Sequence, residues 1–157
     1  MPYSMEPEMS TLTKTRSATS PFLRRVLLAD AATSGATGLL MMACAGPLEE
    51  LLGLPDALLH DAGLALLPFA MLVAYLATRE SQWRPAVWAV IGSNALWAID
   101  SVLLLLTGWI EPNKLGIAFV IAQALVVAIL AQLEYLGLRR SDGARRLMFP
   151  SNDSSAV

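Results

Sequence analysis

One stretch of the sequence, residues 85–109, contains 25 residues and a single charged side chain, that of Asp100. A helix crosses the hydrocarbon core of a bilayer with about 20 predominantly apolar residues, so this stretch is long enough to span a membrane. On a helix its polar residues share one face, and Ala, Val, Ile and Leu cover the rest. The stretch therefore predicts a membrane helix that turns one face to lipid and the other to protein.

Three further apolar runs of similar length indicate a protein that crosses the membrane several times. The 157 residues are 55% hydrophobic and 15% charged, whereas a soluble domain usually has about 25% charged residues. We predict an all-α integral membrane four-helix bundle made of two transmembrane hairpins, with Pro47 and Pro55 bracketing a loop inside the first hairpin. The expected spans are about 26–46, 58–78, 86–109 and 115–138, in a domain that covers 22–140 and lies between disordered, flexible tails at 1–21 and 141–157.

The distribution of positive charge predicts how the bundle is oriented. Ten of the 11 Lys and Arg residues lie before the first span, in the turn at 79–84 or after the fourth span, and only Lys114 lies at the opposite end of the spans. The positive-inside rule then places both termini in the cytoplasm. The lipid bilayer is thus the expected partner, and a net charge of −2 gives no basic surface for nucleic acid.

Two pairs of short segments indicate an internal repeat. Ala29-Asp30-Ala31 lies 64 positions before Ser93-Asn94-Ala95, and the segment from Tyr75 to Arg79 is similar to the one from Tyr135 to Arg139. Both hairpins start on the same side, so a duplication would be a parallel repeat about an axis along the membrane normal. The alternative is a coincidence between helices rich in Ala and Leu.

Polar side chains inside the spans are the candidate functional residues, because burying them in lipid is costly. Asp100 is expected closest to mid-membrane, where a carboxyl costs about 2.5–3.5 kcal/mol on insertion scales. We expect this carboxyl to face the interior and to be neutralised by a proton, by water or by hydrogen bonds. The neighbours available for such bonds are Asn94, Gln123 and Ser34.

The remaining candidates lie on the first and fourth spans, which also show polar faces. Asp30 and Thr37 share a face of the first span, and Glu134 lies on the fourth. Asp30 and Glu134 are each five residues from an arginine, so we expect both near the cytoplasmic interface. The second span is apolar all round and is expected to be the most lipid-exposed, or to pack through apolar contacts alone. Each intramembrane acid either binds a proton or ligand, or links helices through bonds worth about 0.6 kcal/mol on average.

Soft metal ligands form only a weak pattern near the opposite end. Met41, Cys44 and His60 could suit Cu(I), but their spacing is irregular and Met is common in membrane cores. We therefore predict no metal and no cofactor. The sequence contains no phosphate-binding glycine loop, no HExxH motif and no recognisable Ser/His/Asp set, so a non-enzymatic protein is expected.

In length and two-hairpin layout, residues 22–140 resemble small four-span bacterial membrane proteins of the DoxX-like and SPW-repeat kind. The nearest counterpart to the Ser-Pro-Trp signature of the second family is Trp83-Arg84-Pro85, which does not match it. The resemblance implies the four-span fold and assigns no functional residues.

Three functional hypotheses follow. The first is a non-enzymatic protein that binds a lipid or small hydrophobic ligand in a polar interior, or serves as an accessory subunit of a larger membrane assembly. The second is a small proton- or cation-coupled transporter that uses Asp100, as a homo-oligomer because four helices rarely enclose a pathway alone. The third is a quinone-linked membrane redox partner.

Overall fold

The computed structural model describes residues 21–79 and 83–148, with side chains described as far as Ser141. These residues are all-α, and four of the helices in the described ranges are long and apolar enough to cross a membrane, as predicted. The helices are α1 (Pro21–Ala43), α2 (Ala45–Leu52), α3 (Asp56–Thr78), α4 (Arg84–Leu106) and α5 (Lys114–Met148).

The ends of α5 and of the chain differ from the expected boundaries. Helix α5 continues to Met148, ten residues beyond the predicted end of the fourth span at 138. No proline interrupts the sequence until Pro150, so nothing stops the helix where the hydrophobic run ends. The N-terminal tail up to residue 20 and residues 149–157 lie outside the described residues.

The segment predicted as a loop between the first two spans contains the short helix α2. It ends at Gly53, whose φ of 67° is a left-handed conformation that glycine adopts without strain. Asn113 then fixes this end of α2 against α5, since its side chain donates to the Leu51 carbonyl at 2.8 Å. The same side chain accepts bonds from the backbone N–H groups of Leu115 and Gly116, and so caps the start of α5.

The four long helices pack as two pairs, α1 with α3 and α4 with α5. In the first pair the backbones approach closely at two glycines. A Cβ placed on Gly63 would lie 2.7 Å from the Gly38 carbonyl oxygen and 2.8 Å from the Met42 nitrogen. In lipid there is no hydrophobic driving force between helices, and small residues at such crossings let the backbones approach so that van der Waals packing holds the helices together.

The two pairs are joined mainly by α1 against α5, whereas α3 and α4 make the fewest contacts of any adjoining helices. Helix α4 has the smallest buried share of the four spans, and its buried residues, Val87, Val90 and Asn94, all lie in its first half. Of the two alternatives given for the second span, the first, that it would be the most lipid-exposed, is therefore wrong. Its apolar surface packs along α1, in agreement with the second alternative, packing through apolar contacts.

Two apolar cores lie at opposite ends of the long helices. We call the end with the exposed side chains of Arg25, Arg84 and Arg139 the arginine end, and the other the α2 end. The core near the arginine end includes Leu23, Leu27, Val73, Leu76, Val87, Val90 and Leu138. The core near the α2 end includes Met41, Leu52, Leu54, Leu59, Leu66 and Val120. The buried polar residues lie between them.

Candidate functional site

A buried polar cluster joins three of the long helices. It consists of Asp30 and Ser34 from α1, Asn94 from α4 and Glu134 from α5, and all four side chains are buried. The Ser34 hydroxyl donates to Asp30 Oδ1 at 2.9 Å, one helical turn away. The Asn94 amide nitrogen donates to Asp30 Oδ2 at 2.8 Å and lies 3.4 Å from Glu134 Oε2. Asn94 thus bridges two acids that belong to different helix pairs.

The two carboxyls of this cluster are unequally satisfied. Both oxygens of Asp30 accept a hydrogen bond, whereas Oε1 of Glu134 is buried and has no hydrogen-bond partner among the described residues. The donors, a hydroxyl and an amide, are neutral. The cluster therefore contains two acids and no cationic donor that would compensate two charges.

Charge repulsion limits how many of these protons can be removed. The Asn94 amide nitrogen lies 2.8 Å from Asp30 Oδ2 and 3.4 Å from Glu134 Oε2, so the sum of these two distances is the largest possible separation of the two oxygens. Two unit charges about 6 Å apart repel by about 3 kcal/mol at an effective dielectric constant of about 20. Burial adds the larger cost of removing each charge from water. The arrangement favours one proton for the two acids.

The structure brings together four of the seven candidates from the sequence and separates the other three. Asp30 and Glu134, expected near the interface, are fully buried in the cluster with Ser34 and Asn94. Asp100, whose carboxyl was expected to face the interior, is instead exposed on the protein surface, and this carboxyl makes no hydrogen bond or ion pair within the described residues. It is six residues after Asn94, about 120° around α4, so the two side chains face different neighbours.

Asp100 lines a cleft of about 340 Å³ that includes residues from α3, α4 and α5 in their halves nearer the α2 end. Most of the lining is apolar, and the polar contributions come from Asp61, Trp97, Asp100, Ser101 and Gln123. The Ser101 hydroxyl already donates to the Trp97 carbonyl at 2.8 Å. The Asp100 carboxyl is therefore a charged group of this cleft that has no hydrogen-bond or ion-pair partner among the described residues.

A second cavity of about 200 Å³ lies between the polar cluster and the α2 end. Its polar lining consists of Thr33, Ser34, Thr37 and Gln123. Ser34 belongs to both the cluster and this cavity, and Gln123 lines both the cavity and the Asp100 cleft. The remaining two sequence candidates, Thr37 and Gln123, thus lie between the buried acids and Asp100.

The soft-ligand residues occupy separate settings. Met41 is buried in the core near the α2 end and lines the Asp100 cleft. Cys44 is a half-buried free thiol, and exposed His60 lies 3.7 Å from the Asp61 carboxylate. Within the described ranges no group of three or more His, Cys, Asp and Glu residues could hold a metal ion.

The segments proposed as an internal repeat occupy matching places in the two helix pairs. Asp30 and Asn94, 64 positions apart, are hydrogen-bonded to each other. The guanidinium of Arg79 lies 4.3 Å from the centre of the Tyr75 ring, and that of Arg139 lies 5.5 Å from the Tyr135 ring. The Tyr75–Arg79 pair and the Tyr135–Arg139 pair thus each form a cation–π contact. Two features of the sequence point to this cluster: the proposed repeat relates Asp30 to Asn94, and the polar faces of the first, third and fourth spans include residues of all three helices that meet here.

No protein-family model, curated protein or solved structure matches this chain. The resemblance to four-span bacterial proteins therefore remains one of layout, and the functional argument depends on the geometry of the chain itself.

Proposed function

We propose that this is a non-enzymatic protein of a bacterial inner membrane, with both termini in the cytoplasm, that binds a small amphipathic cation in the Asp100 cleft. The observation that supports the proposal is an unpaired carboxyl inside a candidate span that lines a cleft of about 340 Å³. The first functional hypothesis from the sequence, binding of a small hydrophobic ligand, is thereby narrowed to ligands with a positive charge.

The shape and lining of the cleft suit a small molecule. Ligand sites in proteins usually have volumes of about 300–1,000 Å³, mostly apolar walls and a few polar groups that fix the ligand. The cleft has such walls, to which Met41, Leu59 and Phe119 contribute. The cleft lies where α3 and α4 make few contacts, so a ligand can enter without forcing two closely packed helices apart.

The charge of the lining favours a cation over a neutral lipid. A charged side chain inside a membrane span is costly, and a bound cation offsets that cost. Asp61 lines the same cleft and adds a second negative charge near its α2 end. Trp97 presents an indole, the side chain that forms the strongest cation–π contacts.

The test uses the full chain in mild detergent and tetraphenylphosphonium as a probe, with binding measured by equilibrium dialysis. Asp100→Asn should weaken binding about tenfold, which corresponds to about 1.4 kcal/mol. The matched control is Asp56→Asn, because Asp56 is an exposed acid at the same end that does not line the cleft.

Neutral tetraphenylmethane, of similar shape, should bind Asp100→Asn and the unaltered protein equally. Equal affinity of tetraphenylphosphonium for the two proteins would refute the proposal. The hypotheses of an Asp100-dependent transporter, a quinone-linked redox partner, a homo-oligomer and an accessory subunit stay predictions.

A further inference from the structure

We propose that Asp30 and Glu134 form a proton-binding site that holds one proton, located on Glu134, and that this proton exchanges with the α2 end of the protein only. The inference does not depend on ligand binding at Asp100. It is based on the hydrogen bonds of the two acids, on the core that separates them from the arginine end and on the polar groups that lie between them and the α2 end.

The hydrogen bonds identify which acid is protonated. Each oxygen of Asp30 accepts a bond, from Ser34 and from Asn94, as expected for a carboxylate. Glu134 accepts only the longer contact from Asn94 on Oε2, and its Oε1 lacks a donor. A proton on Oε1 turns this unsatisfied acceptor into a donor, and the acid nearest to it is Asp30, which shares the Asn94 nitrogen with Glu134. The site then has one negative charge, and loss of the proton would leave two adjacent buried charges.

An apolar layer closes the route from the arginine end. Each of the three helices places a buried aliphatic residue about one turn from its cluster residue on that side: Leu27 before Asp30, Val90 before Asn94 and Leu138 after Glu134. Helix α3 adds Val73, Leu76 and Ala77 to the same core. A proton moves through hydrogen-bonding groups or water, and this layer offers neither side-chain donors nor acceptors.

The charged groups on this side are separated from the acids by that layer. Among the residues whose side chains the structure describes, they are Arg24 and Arg25 on α1, Arg79 after α3, Arg84 on α4, and Arg139 and Arg140 on α5, and all of these are exposed. The phenols of the same described residues on this side, those of Tyr75 and Tyr135, are each in contact with an arginine. Asp100 of α4 and Asp61 of α3 are the acids that face the opposite side, in the cleft.

Polar groups lead from the acids towards the α2 end. Ser34 donates to Asp30 and also lines the smaller cavity, so its hydroxyl can pass a proton between the two. Thr37 and Gln123 line that cavity as well, and Gln123 borders the Asp100 cleft. The cavity's volume of about 200 Å³ exceeds the roughly 30 Å³ that one water occupies, and these side chains provide the polar partners that a water needs.

The first test detects the proton by infrared spectroscopy of the full chain in lipid vesicles. At neutral pH a protonated buried carboxyl shows a carbonyl band that ionised surface acids lack. The variant Asp100→Asn is used as the background, because it removes the other acid deep in a span. Glu134→Gln in this background should abolish the band, and Asp56→Asn should leave it unchanged. A band that persists in Glu134→Gln would overturn the site.

Glu134→Gln keeps a donor that can face Asp30, so it is expected to fold.

The second test keeps the Asp100→Asn background and uses Cys44, the only cysteine of the chain, which lies near the α2 end. In sealed vesicles a membrane-impermeant maleimide measures the fraction of chains whose α2 end faces outwards. A change of external pH should titrate the buried band in that same fraction.

The other outcomes of the second test overturn the inference. Titration of the complementary fraction would place the proton route at the arginine end, and titration of all chains would exclude one-sided access. A band that no pH change on either side alters would show that the acids do not exchange a proton. A further check is Gln123→Leu, which should slow the response to external pH without removing the band.

Discussion

Replacing Asn94 by leucine tests whether the polar cluster holds the two helix pairs together. Leucine has nearly the size of asparagine but cannot donate a hydrogen bond. The substitution removes the 2.8 Å bond to Asp30 and the 3.4 Å contact with Glu134, while α4 keeps its other buried residues. We expect the protein to fold and to be less stable, because both acids stay buried with one donor fewer.

The size of the effect follows from the environment of the bonds. Hydrogen bonds between membrane helices are worth about 0.6 kcal/mol on average and about 1.7 kcal/mol at most. An acceptor that is left buried and unsatisfied adds a penalty of about 1–3 kcal/mol. Asp30 loses one of its two donors and keeps Ser34, so the lower part of that range applies. We expect Asn94→Leu to reduce the free energy of unfolding by about 2 kcal/mol.

The assay is equilibrium unfolding in mixed micelles, in which the denaturing detergent is increased and helix content is followed by circular dichroism. The control is Ser93→Leu, since Ser93 is the adjacent residue of α4 and is exposed. It should change stability by less than about 0.5 kcal/mol, as surface substitutions usually do. If Asn94→Leu is as stable as Ser93→Leu, the cluster does not connect the helix pairs and the reasoning fails.

Two further predictions concern the packing that positions the site. Gly63→Ala should destabilise the α1–α3 pair by about 1–3 kcal/mol, because the added methyl meets backbone atoms of Gly38 and Met42. Unfolding in mixed micelles measures this loss of stability. The control is Gly92→Ala, which should be neutral or stabilising because nothing lies within 4 Å of the added methyl. Asn113→Ala should cost about 1 kcal/mol through loss of the α5 cap, and faster hydrogen exchange confined to α2 and the start of α5 would identify that cause.

The sequence was sufficient to predict the four candidate spans, because a long apolar run with few charges has few other stable structures. It was less informative about α2, since eight residues that contain two glutamates and Pro47, and are soon followed by Pro55, resemble a loop as much as a short helix. The close approach of α1 and α3 could not be predicted from the apolar pattern, because Gly63 has no side chain that would add to an apolar face. The structure was therefore needed to show which helices pack as pairs.

The position of the acids shows the limit of reasoning from single helices. On the wheel of the third span, Asn94 and Asp100 belong to one broad polar face, and both were expected to face the same interior. The structure divides that face between two neighbours, with Asn94 towards α1 and α5 and Asp100 towards the cleft beside α3. A wheel gives the angle between two residues but not which helix covers each angle.

Counting residues from the arginines misplaced Asp30 and Glu134 for a related reason. Five residues of helix correspond to about 7.5 Å along the axis, which suggested contact with the headgroups. Yet Leu27 and Leu138 fill that distance and pack with residues of the other helices, so both acids are sealed from the arginine end. Depth along one helix therefore does not determine exposure. The proposed internal repeat was the better guide, because equivalent residues of a parallel repeat would lie symmetrically about its axis, and Asp30 and Asn94 are hydrogen-bonded to each other.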